Sequence, residues 1–453
     1  MSIKINIPEK LKELSKLISK ASPLYLVGGF VRDSILGLHP YDIDICAPLT
    51  VEELGELLKG TSFEVLPVNL RVGTTIIKNG DFKAEYTCFR SDSYPEDSGI
   101  HTPDKVEFTT NIRVDALRRD FKMNAIYYDI ANEEIVDVLG GLRDIENKLI
   151  STADSPENVF SADGLRILRL VRQASEFGFF IEENTLASAR KMVNRLNDIA
   201  VERIQVEINR ILIADTAHPE LGTTDAHIKG IRLLDKIGAL DIIFPELTAM
   251  RGLQQKPQYH IYDAFEHSLK AFELSPPSIR MAALLHDLGK LPCVLKQGNM
   301  HGHDVVSAEL VTKRLSHLKY PRDFIERTAK IVSLHMYDLR GETSIGKVRL
   351  FIQKNHDVIE ELFLLQRADC YASHGEKAIY TERLEKIYDE MKIDGTPFSV
   401  KDLKIDGNDL IEQNVDAKSR NTVMQEILQN AVLDENMRTR EAQLRFLQRR
   451  KKL

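Results

Sequence analysis

Hydrophobic and polar positions follow two different patterns along this chain. In the first 150 residues, short apolar runs of strand length alternate with polar turns, and helical spacing occurs in brief stretches such as Glu9–Lys20 and Phe30–Leu36. From about Ile150 onward, apolar residues recur at helical spacing in one segment after another, with few Gly or Pro inside them. The pattern predicts a small head that mixes strands and helices, followed by a long helical body.

The predicted elements describe a multidomain α+β protein. We expect four parts, which cover residues 1–150 (the head), 151–225 (a helical neck), 226–385 (a helical body) and 386–453 (a helical basic tail). Residues Ser91–Asp104 are rich in Ser, Asp, Pro and Gly and are predicted to form a mobile loop. The predicted strands are Leu24–Val27, Asp42–Cys46, Phe63–Leu66, Thr74–Lys78, Lys83–Phe89, Lys105–Phe108, Ala125–Asp129 and Ile135–Asp137. The predicted helices after the head are Ala162–Phe177, Asn184–Leu196, Glu202–Ile213, Arg280–His286, Ser307–Leu318 and Pro321–Leu334.

Composition and charge narrow the class of protein. A length of 453 residues corresponds to about three domains, and 61 basic against 68 acidic residues give a net charge of −7. That balance argues against a partner held by bulk positive charge, although a local basic groove can still bind nucleic acid. The four cysteines form no CxxC pair, and no apolar run approaches the length of about 18 residues that a membrane helix needs. We therefore expect a soluble cytoplasmic protein.

A glycine turn and two aspartates stand close together in the head. Gly28 and Gly29 end the first predicted strand, so that backbone N–H groups and the next helix can approach a phosphate. Arg32 follows on that helix and can donate to phosphate oxygens. Asp42 and Asp44 are two residues apart in a predicted strand, so both carboxylates face one side of it. Such a pair is suited to Mg²⁺, which activates a hydroxyl nucleophile and neutralises a triphosphate.

These residues resemble the signature of a known family. The segment GGFVRDSILG (residues 28–37) and the following DID (residues 42–44) resemble the GG-x-VRD-x-x-LG and DxD motifs of class II tRNA nucleotidyltransferases (CCA-adding enzymes) and bacterial poly(A) polymerases. The resemblance implies a polymerase beta-like nucleotidyltransferase head in which Asp42 and Asp44 are catalytic and bind Mg²⁺. It also implies that the tRNA 3′-hydroxyl attacks the α-phosphate of CTP or ATP, so that CCA is added to the tRNA.

Two further motifs of the same family supply candidate nucleotide ligands. The segment RRDFKMNA (residues 118–125) resembles its RRDF-x-x-NA motif, and DGLR (residues 163–166) resembles its EDxxR motif, with Ala162 where Glu is common. The second motif implies a protein template in the neck that selects CTP and then ATP. On spacing alone, Asp163, Arg166 and Arg169 share a helix face and also suit a salt-bridge ladder. The implied nucleotide-binding residues are Gly28, Gly29, Arg32, Arg119, Asp120, Asn124, Asp163, Arg166, Arg169 and Arg172.

Histidines and aspartates at metal-ligand spacing mark the body. His286 and Asp287 lie in the apolar stretch ALLHDLGK (residues 283–290), where an imidazole and a carboxylate need partners. The order H…HD…H…H…D resembles an HD phosphohydrolase domain, which implies a divalent metal that activates water for attack on a phosphate ester. Other histidines, His218 and His227 among them, are assigned to the surface. The implied metal ligands are His267, His286, Asp287 and Asp369, with His303 and His335 as further candidates.

Several assignments stay open on the sequence. Glu85 is either a third carboxylate of the head or an exposed strand residue. The basic stretch Arg438–Leu453 either binds tRNA or is a solvated helix end. The alternative activities are a CC-adding or A-adding tRNA nucleotidyltransferase, a poly(A) polymerase, and an HD-type metal-dependent phosphohydrolase. Expected partners are tRNA, CTP and ATP, and the expected cofactors are Mg²⁺ and an additional divalent metal at the HD site; the oligomeric state stays open.

Overall fold

The computed structural model describes residues 5–93, 105–258, 260–374 and 378–450. It divides into two compact units, Met1–Pro245 and Glu246–Leu453. The first unit contains a mixed sheet and helices, and the second is helical throughout its described residues, which confirms a mixed head followed by helices. The division into four parts stays a prediction, and residues 94–104 of the predicted loop lie outside the described residues. Within the described residues, no helix has both the length and the apolarity needed to cross a membrane.

Eleven strands are present among the described residues of the first unit. They are β1 (Tyr25–Val27), β2 (Asp44–Ala47), β3 (Glu64–Asn69), β4 (Thr74–Asn79), β5 (Phe82–Cys88), β6 (Arg90–Ser93), β7 (Lys105–Phe108), β8 (Ile126–Asp129), β9 (Glu134–Asp137), β10 (Leu149–Ile150) and β11 (Phe180–Ile181). Seven of them form the head sheet in the order β3-β4-β5-β2-β1-β8-β9, and β6-β7 and β10-β11 pair separately.

The register of the head sheet brings two acidic residues together. β2 and β5 run parallel and set Asp44 opposite Glu85, whereas the other neighbours in this sheet are antiparallel. β1 and β2 contribute the buried side chains of Val27 and Cys46 to the head core. The predicted strand at Asp42 is wrong in one respect, because β2 begins only at Asp44 and Asp42 precedes it in irregular backbone.

The first helices of this unit alternate with the strands of the head, and further helices follow them along the chain. They are α1 (Glu9–Ile18), α2 (Gly29–Ile35), α3 (Val51–Leu58), α4 (Ile112–Leu117), α5 (Gly141–Glu146), α6 (Pro156–Ala162), α7 (Leu165–Phe177), α8 (Glu183–Lys191), α9 (Val201–Leu212), α10 (Ala226–Ile237) and α11 (Ala239–Ile243). α7 ends where Gly178 takes a left-handed conformation with φ 67°, a backbone state that glycine adopts without strain.

The predicted continuous helix Ala162–Phe177 is wrong at its start. Asp163 has extended backbone angles, φ −153° and ψ 108°, and separates α6 from α7. Its Oδ1 accepts a hydrogen bond from the backbone N–H of Leu165 at 3.0 Å. An aspartate that binds nearby backbone N–H groups competes with helix continuation, which explains the break. The argument that placed Asp163 on one helix face with Arg166 therefore does not hold.

The second unit is built from helices α12 to α23. They are α12 (Pro245–Thr248, at the boundary), α13 (Ala264–Glu273), α14 (Arg280–Leu285), α15 (Lys290–Gln297), α16 (His303–His317), α17 (Arg322–Leu334), α18 (Ile345–Lys354), α19 (Ile359–His374), α20 (Ile379–Ile393), α21 (Gly407–Glu412), α22 (Arg420–Leu433) and α23 (Arg440–Arg450). Leu447 of α23 is buried in a core shared with Val348 of α18 and Ile427 of α22. The basic tail is therefore packed against the unit rather than projecting from it.

Much of the positive charge of the tail is already paired. Arg438 lies 3.0 Å from Asp394, and Arg440 and Arg450 form ion pairs with Asp409 and Glu426. In contrast, Arg445 and Arg449 are exposed and form no ion pair with the described residues. Lys451 and Lys452 lie outside the described residues. The binding of tRNA by this tail stays a prediction. The ion pairs reduce the number of arginines that are available to contact phosphates.

Candidate active site and metal centre

A cleft in the first unit brings the predicted catalytic and nucleotide-binding residues together. Its volume is about 750 Å³, and it lies entirely within residues 28–218. All twelve predicted head and neck residues line it, although they are spread over four separate sequence motifs and the arginines that follow the last one. They are Gly28, Gly29, Arg32, Asp42, Asp44, Arg119, Asp120, Asn124, Asp163, Arg166, Arg169 and Arg172.

The two predicted metal carboxylates stand together in this cleft. Asp42 is exposed, and Asp44 is half-buried at the first residue of β2. The Asp44 carboxylate has no hydrogen bond or ion pair with any described residue. Burial raises the pKa of Asp44 to about 6, and the negative charges of Glu85 and Asp42 act in the same direction. The positive charges of Arg119 and Arg169 oppose this rise, although neither residue forms an ion pair with Asp44. Clustered carboxylates that are not ion-paired fit Mg²⁺, whose preferred ligands are such oxygens.

The backbone at Gly28 admits no larger residue without strain. Gly28 has φ +78°, a conformation that residues with a Cβ atom rarely adopt. A Cβ atom added there would also lie 3.3 Å from Oδ2 of Asp44. The absence of a side chain at Gly28 therefore leaves room beside the Asp44 carboxylate.

Arg118 and Arg119 share one buried anion. Nε of Arg118 donates to Oδ1 of Asp115 at 2.8 Å, and Nη2 of Arg119 donates to Oδ2 at 3.1 Å. The hydroxyl of Tyr127 donates to the same Oδ2 at 2.7 Å. Burial favours the neutral acid, but the two arginines and this hydroxyl hold the pKa of Asp115 at about 2. Sequence reasoning missed Asp115, although its spacing three and four residues before the arginines is the signal for such pairing.

Helix α7 presents its arginines to the head. Nη2 of Arg166 donates to the carbonyl of Arg118 at 2.7 Å, and Nη2 of Arg169 donates to Oδ2 of Asp120 at 2.6 Å. Asp163 accepts from Nη2 of Arg203 on α9 at 2.7 Å. Asp163, Arg166 and Arg169 thus share the cleft wall, each with a partner within the protein. Their selection of a nucleobase stays a proposal.

Arg172 occupies a different environment from the other predicted ligands. It is 5% exposed, and it donates to Glu207 at 2.6 Å and to Glu176 at 2.7 Å. The pair with Glu207 connects α7 to α9, and loss of either partner would leave an uncompensated buried charge. His218, which the sequence assigned to the surface, lines the cleft and stacks on Phe177 with ring centres 5.1 Å apart.

A second histidine assignment is also wrong. His227 on α10 was expected at the surface, but it is 4% exposed. Its Nδ1 lies 3.5 Å from Oδ2 of Asp215. The apolar neighbours that α10 buries around it carry His227 inward, which a single histidine in the sequence does not reveal.

The six predicted HD ligands lie together in the second unit. Four histidines surround the carboxylate of Asp287, and Asp369 contacts two of these histidines. On one side, Oδ2 of Asp287 lies 3.1 Å from Nε2 of His286 and 3.4 Å from Nε2 of His267. Oδ1 of Asp369 completes that side at 2.9 Å from Nε2 of His267 and 3.7 Å from Nε2 of His286. On this side, two imidazoles and two carboxylates therefore face one another, and ligand atoms of His267, His286 and Asp287 all lie within 4.8 Å of one another.

The other oxygen of Asp287 faces the two further candidates. Oδ1 lies 3.1 Å from Nε2 of His303 and 3.9 Å from Nε2 of His335. The two imidazole nitrogens are themselves 3.2 Å apart. His303 and His335 thus belong to the same cluster as the predicted ligands, with Asp287 between the two sides.

The hydrogen bonds around this cluster leave nitrogen lone pairs pointing into it. Nδ1 of His286, His303 and His335 faces the backbone carbonyls of Ala283, Met300 and Val332 at 2.8, 2.9 and 2.6 Å. A carbonyl accepts only from a protonated Nδ1, so in the neutral rings Nε2 is unprotonated. Both oxygens of Asp287 and Nε2 of His267 and His286 are buried and form no hydrogen bond of good geometry; their short contacts are with one another, with Asp369 and His303, and with Lys290. Buried donor atoms of this kind fit a divalent metal.

Lys290 lies against this cluster. It is the last residue of the ALLHDLGK stretch, and sequence reasoning assigned it no role. Nζ of Lys290 is 2.5 Å from Oδ2 of Asp287 and donates to Oε1 of Gln255 at 2.6 Å. Lys290 is 4% exposed, so this cation is held beside the carboxylate by a buried amide. Its position three residues after Asp287, across the turn between α14 and α15, is the signal that would have found it.

Three family models match this chain in the order of its parts. Residues 24–151 match the poly(A) polymerase head domain, and residues 178–251 match a region described as a probable RNA- and SrmB-binding site of polymerase A. Residues 259–373 match the HD domain. The metal cluster of the second unit lies within that last segment.

Individual relatives give the same result. The chain is 29% identical to a CCA-adding enzyme of Bacillus velezensis, over 88% of this chain and 86% of that protein. It is 29% identical to an A-adding tRNA nucleotidyltransferase of Deinococcus radiodurans, over 77% of this chain and 76% of that protein. A CCA-adding enzyme of Oceanobacillus iheyensis is 38% identical, but the match spans only 48% of that relative and 44% of this chain.

Solved structures share the fold. The CCA-adding enzyme of Bacillus stearothermophilus in complex with CTP superposes with a TM-score of 0.66 at 21% identity, covering 98% of this chain and 97% of that one. The Thermotoga maritima CCA-adding enzyme in complex with tRNA gives 0.57 at 18% identity, covering 98% and 96%. A head of this fold with a two-aspartate cleft defines a nucleotidyltransferase, and here the same chain carries an HD domain. The chain thus carries the head domain of poly(A) polymerases and an HD domain, and its relatives are CCA-adding, CC-adding and A-adding tRNA nucleotidyltransferases.

Proposed function

We propose that this protein adds CCA to the 3′ end of tRNA from CTP and ATP in the cytoplasm. The observation that carries the proposal is the single cleft in which the aspartate pair, the glycine turn and the arginines of α7 meet. Asp42 and Asp44 would hold Mg²⁺, which when bound neutralises the triphosphate and activates the 3′-hydroxyl. Arg32 and the backbone of Gly29 would bind the triphosphate, as their place at the start of α2 suits an anion.

The remaining cleft residues would bind the nucleoside. Asp163 offers carboxylate oxygens and Arg166 offers N–H donors, so together they can match the Watson–Crick edge of a base. Asp120 and Asn124 can accept from and donate to sugar hydroxyls, and Arg119 adds a cation beside them. Arg169 positions Asp120 through its ion pair. The two buried carboxylates on Arg172 assign it to bracing this wall rather than to the nucleotide.

Narrower products are the alternatives within the same cleft. Relatives that add only CC or only A match this chain over most of its length. Incubation with tRNA lacking its terminus, with CTP and ATP supplied separately and together, distinguishes them. We expect two C residues with CTP alone and CCA with both. Failure to add C, or long A tails, would overturn full CCA addition.

The same assay tests the aspartate pair. The variant Asp42→Ala should abolish incorporation, because it removes one of the two carboxylates that would hold Mg²⁺. Since Asp42 is exposed and lies outside β2, the change should leave the fold intact. The exposed Asp81→Ala, in the turn between β4 and β5, is the matched control and should retain activity. Incorporation by Asp42→Ala would argue against this cleft as the site of transfer.

A second activity is proposed for the HD domain because of its six-ligand cluster. His267, His286, Asp287 and Asp369 would hold one divalent metal, and His303 and His335 would complete the site across Asp287. A metal bound there activates water for attack on a phosphate ester. Lys290 places a cation where a phosphate oxygen would develop charge.

Metal removal tests this second activity. The protein should hydrolyse a phosphate monoester with Mn²⁺ or Ni²⁺ and lose this hydrolysis after chelation. Retained hydrolysis in the chelator would contradict a metal-dependent site. Since the two sites use different residues, nucleotide incorporation should return on addition of Mg²⁺ even when the HD metal is withheld.

A further inference from the structure

Gln173 is a buried amide in the wall of the nucleotide cleft. Its side chain is 1% exposed, and it lies on α7 four residues after Arg169 and four before Phe177. Residues at this spacing share one face of a helix. On that face, Arg169 donates to Asp120, and the ring of Phe177 lies 4.5 Å from the guanidinium carbon of Arg32. Gln173 stands between these two contacts to the head.

Charged neighbours fix the orientation of its amide. Arg32 only donates and the Asp120 carboxylate only accepts. Asn124 therefore accepts from Nη1 of Arg32 through Oδ1 at 2.7 Å and donates to Asp120 through Nδ2 at 2.8 Å. Nδ2 of Asn124 also lies 3.0 Å from Oε1 of Gln173, and Nη1 of Arg32 lies 3.4 Å from it. Two donors thus meet one acceptor, so Oε1 and not Nε2 must face them.

We infer that Gln173 is a positioning residue for nucleotide binding, which holds Arg32 and Asn124 in register with the arginines of α7. The inference rests on the proposed nucleotidyl transfer, in which Arg32 binds the triphosphate and Arg166 reads the base. Both groups must keep a fixed separation to bind one nucleotide. Without the Gln173 acceptor, Asn124 loses a buried partner, and the guanidinium of Arg32 keeps its hydrogen bonds to Asp33 and Asn124 and its contact with the Phe177 ring.

The test compares two substitutions at this position. Gln173→Met keeps the size of the side chain and removes its acceptor, so KM for both CTP and ATP should rise about tenfold, the effect of one hydrogen bond to a charged group. KM for tRNA should stay at the wild-type value, a split that general destabilisation would not produce. Gln173→Glu restores an acceptor and should bring KM for both nucleotides back toward wild type. Gln205→Met on α9, half-buried and outside the cleft lining, is the matched control.

A double-mutant cycle identifies the route of the effect. If Gln173 acts through Asn124, the losses of Gln173→Met and Asn124→Ala should be smaller together than their sum. Additive losses, an unchanged nucleotide KM in Gln173→Met, or a Gln173→Glu variant as impaired as Gln173→Met would each overturn the inference. Should Gln173→Met fail to fold, Gln173→Leu, which also lacks the acceptor, replaces it in the KM comparison and in the cycle with Asn124→Ala. A wild-type protein that incorporates no nucleotide would overturn the proposed function and this inference together.

Discussion

The half-buried carboxylate of Asp44 should lower the stability of the metal-free protein. Its pKa of about 6 in the fold, against 3.8 for an ordinary aspartate, means that the folded state retains a proton through a pH range in which the unfolded chain has lost it. The stability of the wild type therefore falls as pH rises from about 4 to about 6. The variant Asp44→Asn keeps the shape of the side chain and removes the charge, so it should be more stable and should not show this fall.

The magnitude follows from the two pKa values. A difference of about 2 in pKa is worth at most about 3 kcal/mol of unfolding free energy once both states are ionised, as at pH 8. At pH 5 about half of that gain should remain, since only the unfolded aspartate is then largely ionised. Urea unfolding followed by far-UV circular dichroism, in a chelator at both pH values, measures the difference; the chain has no tryptophan for fluorescence.

Two comparisons make this prediction specific. Asp42→Asn removes an exposed charge, so its unfolding free energy should change by less than about 0.5 kcal/mol although its transferase activity is lost. Mg²⁺ should stabilise the wild type and not Asp44→Asn, because a ligand stabilises only the state that binds it. If Asp44→Asn were no more stable than the wild type at pH 8, or if its advantage were equal at pH 5 and pH 8, the proposed crowding of carboxylates would be refuted.

Three further predictions concern other parts of the chain. Gly28→Ala should destabilise the protein by about 1–2 kcal/mol in urea unfolding and reduce nucleotide incorporation, because its backbone has φ +78°; wild-type stability would contradict this strain. Asp287→Asn should lose bound metal, measured by mass spectrometry of the elements, and phosphate-ester hydrolysis while it keeps nucleotide incorporation; metal retained at the wild-type level would count against the cluster. Joint replacement of the exposed Arg445 and Arg449 by Ala should lower the salt dependence of tRNA affinity, by a slope of about 0.7–0.9 per lost phosphate contact. Arg440→Ala should instead lower stability, since that side chain is already paired, and an equal effect of both changes on affinity would refute the distinction.

Local patterns in the sequence determined the type of most elements and indicated candidate site residues that the fold brings together. The strand periodicity before residue 150 and the helical periodicity after it predicted the mixed head and the helical body, since amphipathic spacing is a property of neighbouring residues. The glycine turn, the aspartate pair and the HD dipeptide are contiguous or nearly so. Their resemblance to family motifs therefore identified residues that the fold brings into one cleft and one cluster.

Partner choice over long distances was decided only by the tertiary structure. Nothing near Asp120 in the sequence indicates that Arg169 will pair with it, or that Gln173 will meet Arg32 across 141 residues. The burial of His227 likewise depends on groups that packing supplies, which override local propensity. The break at Asp163, in contrast, follows from a local hydrogen bond with the backbone of Leu165. Periodicity reports which face of an element is apolar, but the partners of its polar side chains are set when the elements pack and every buried charge must be matched.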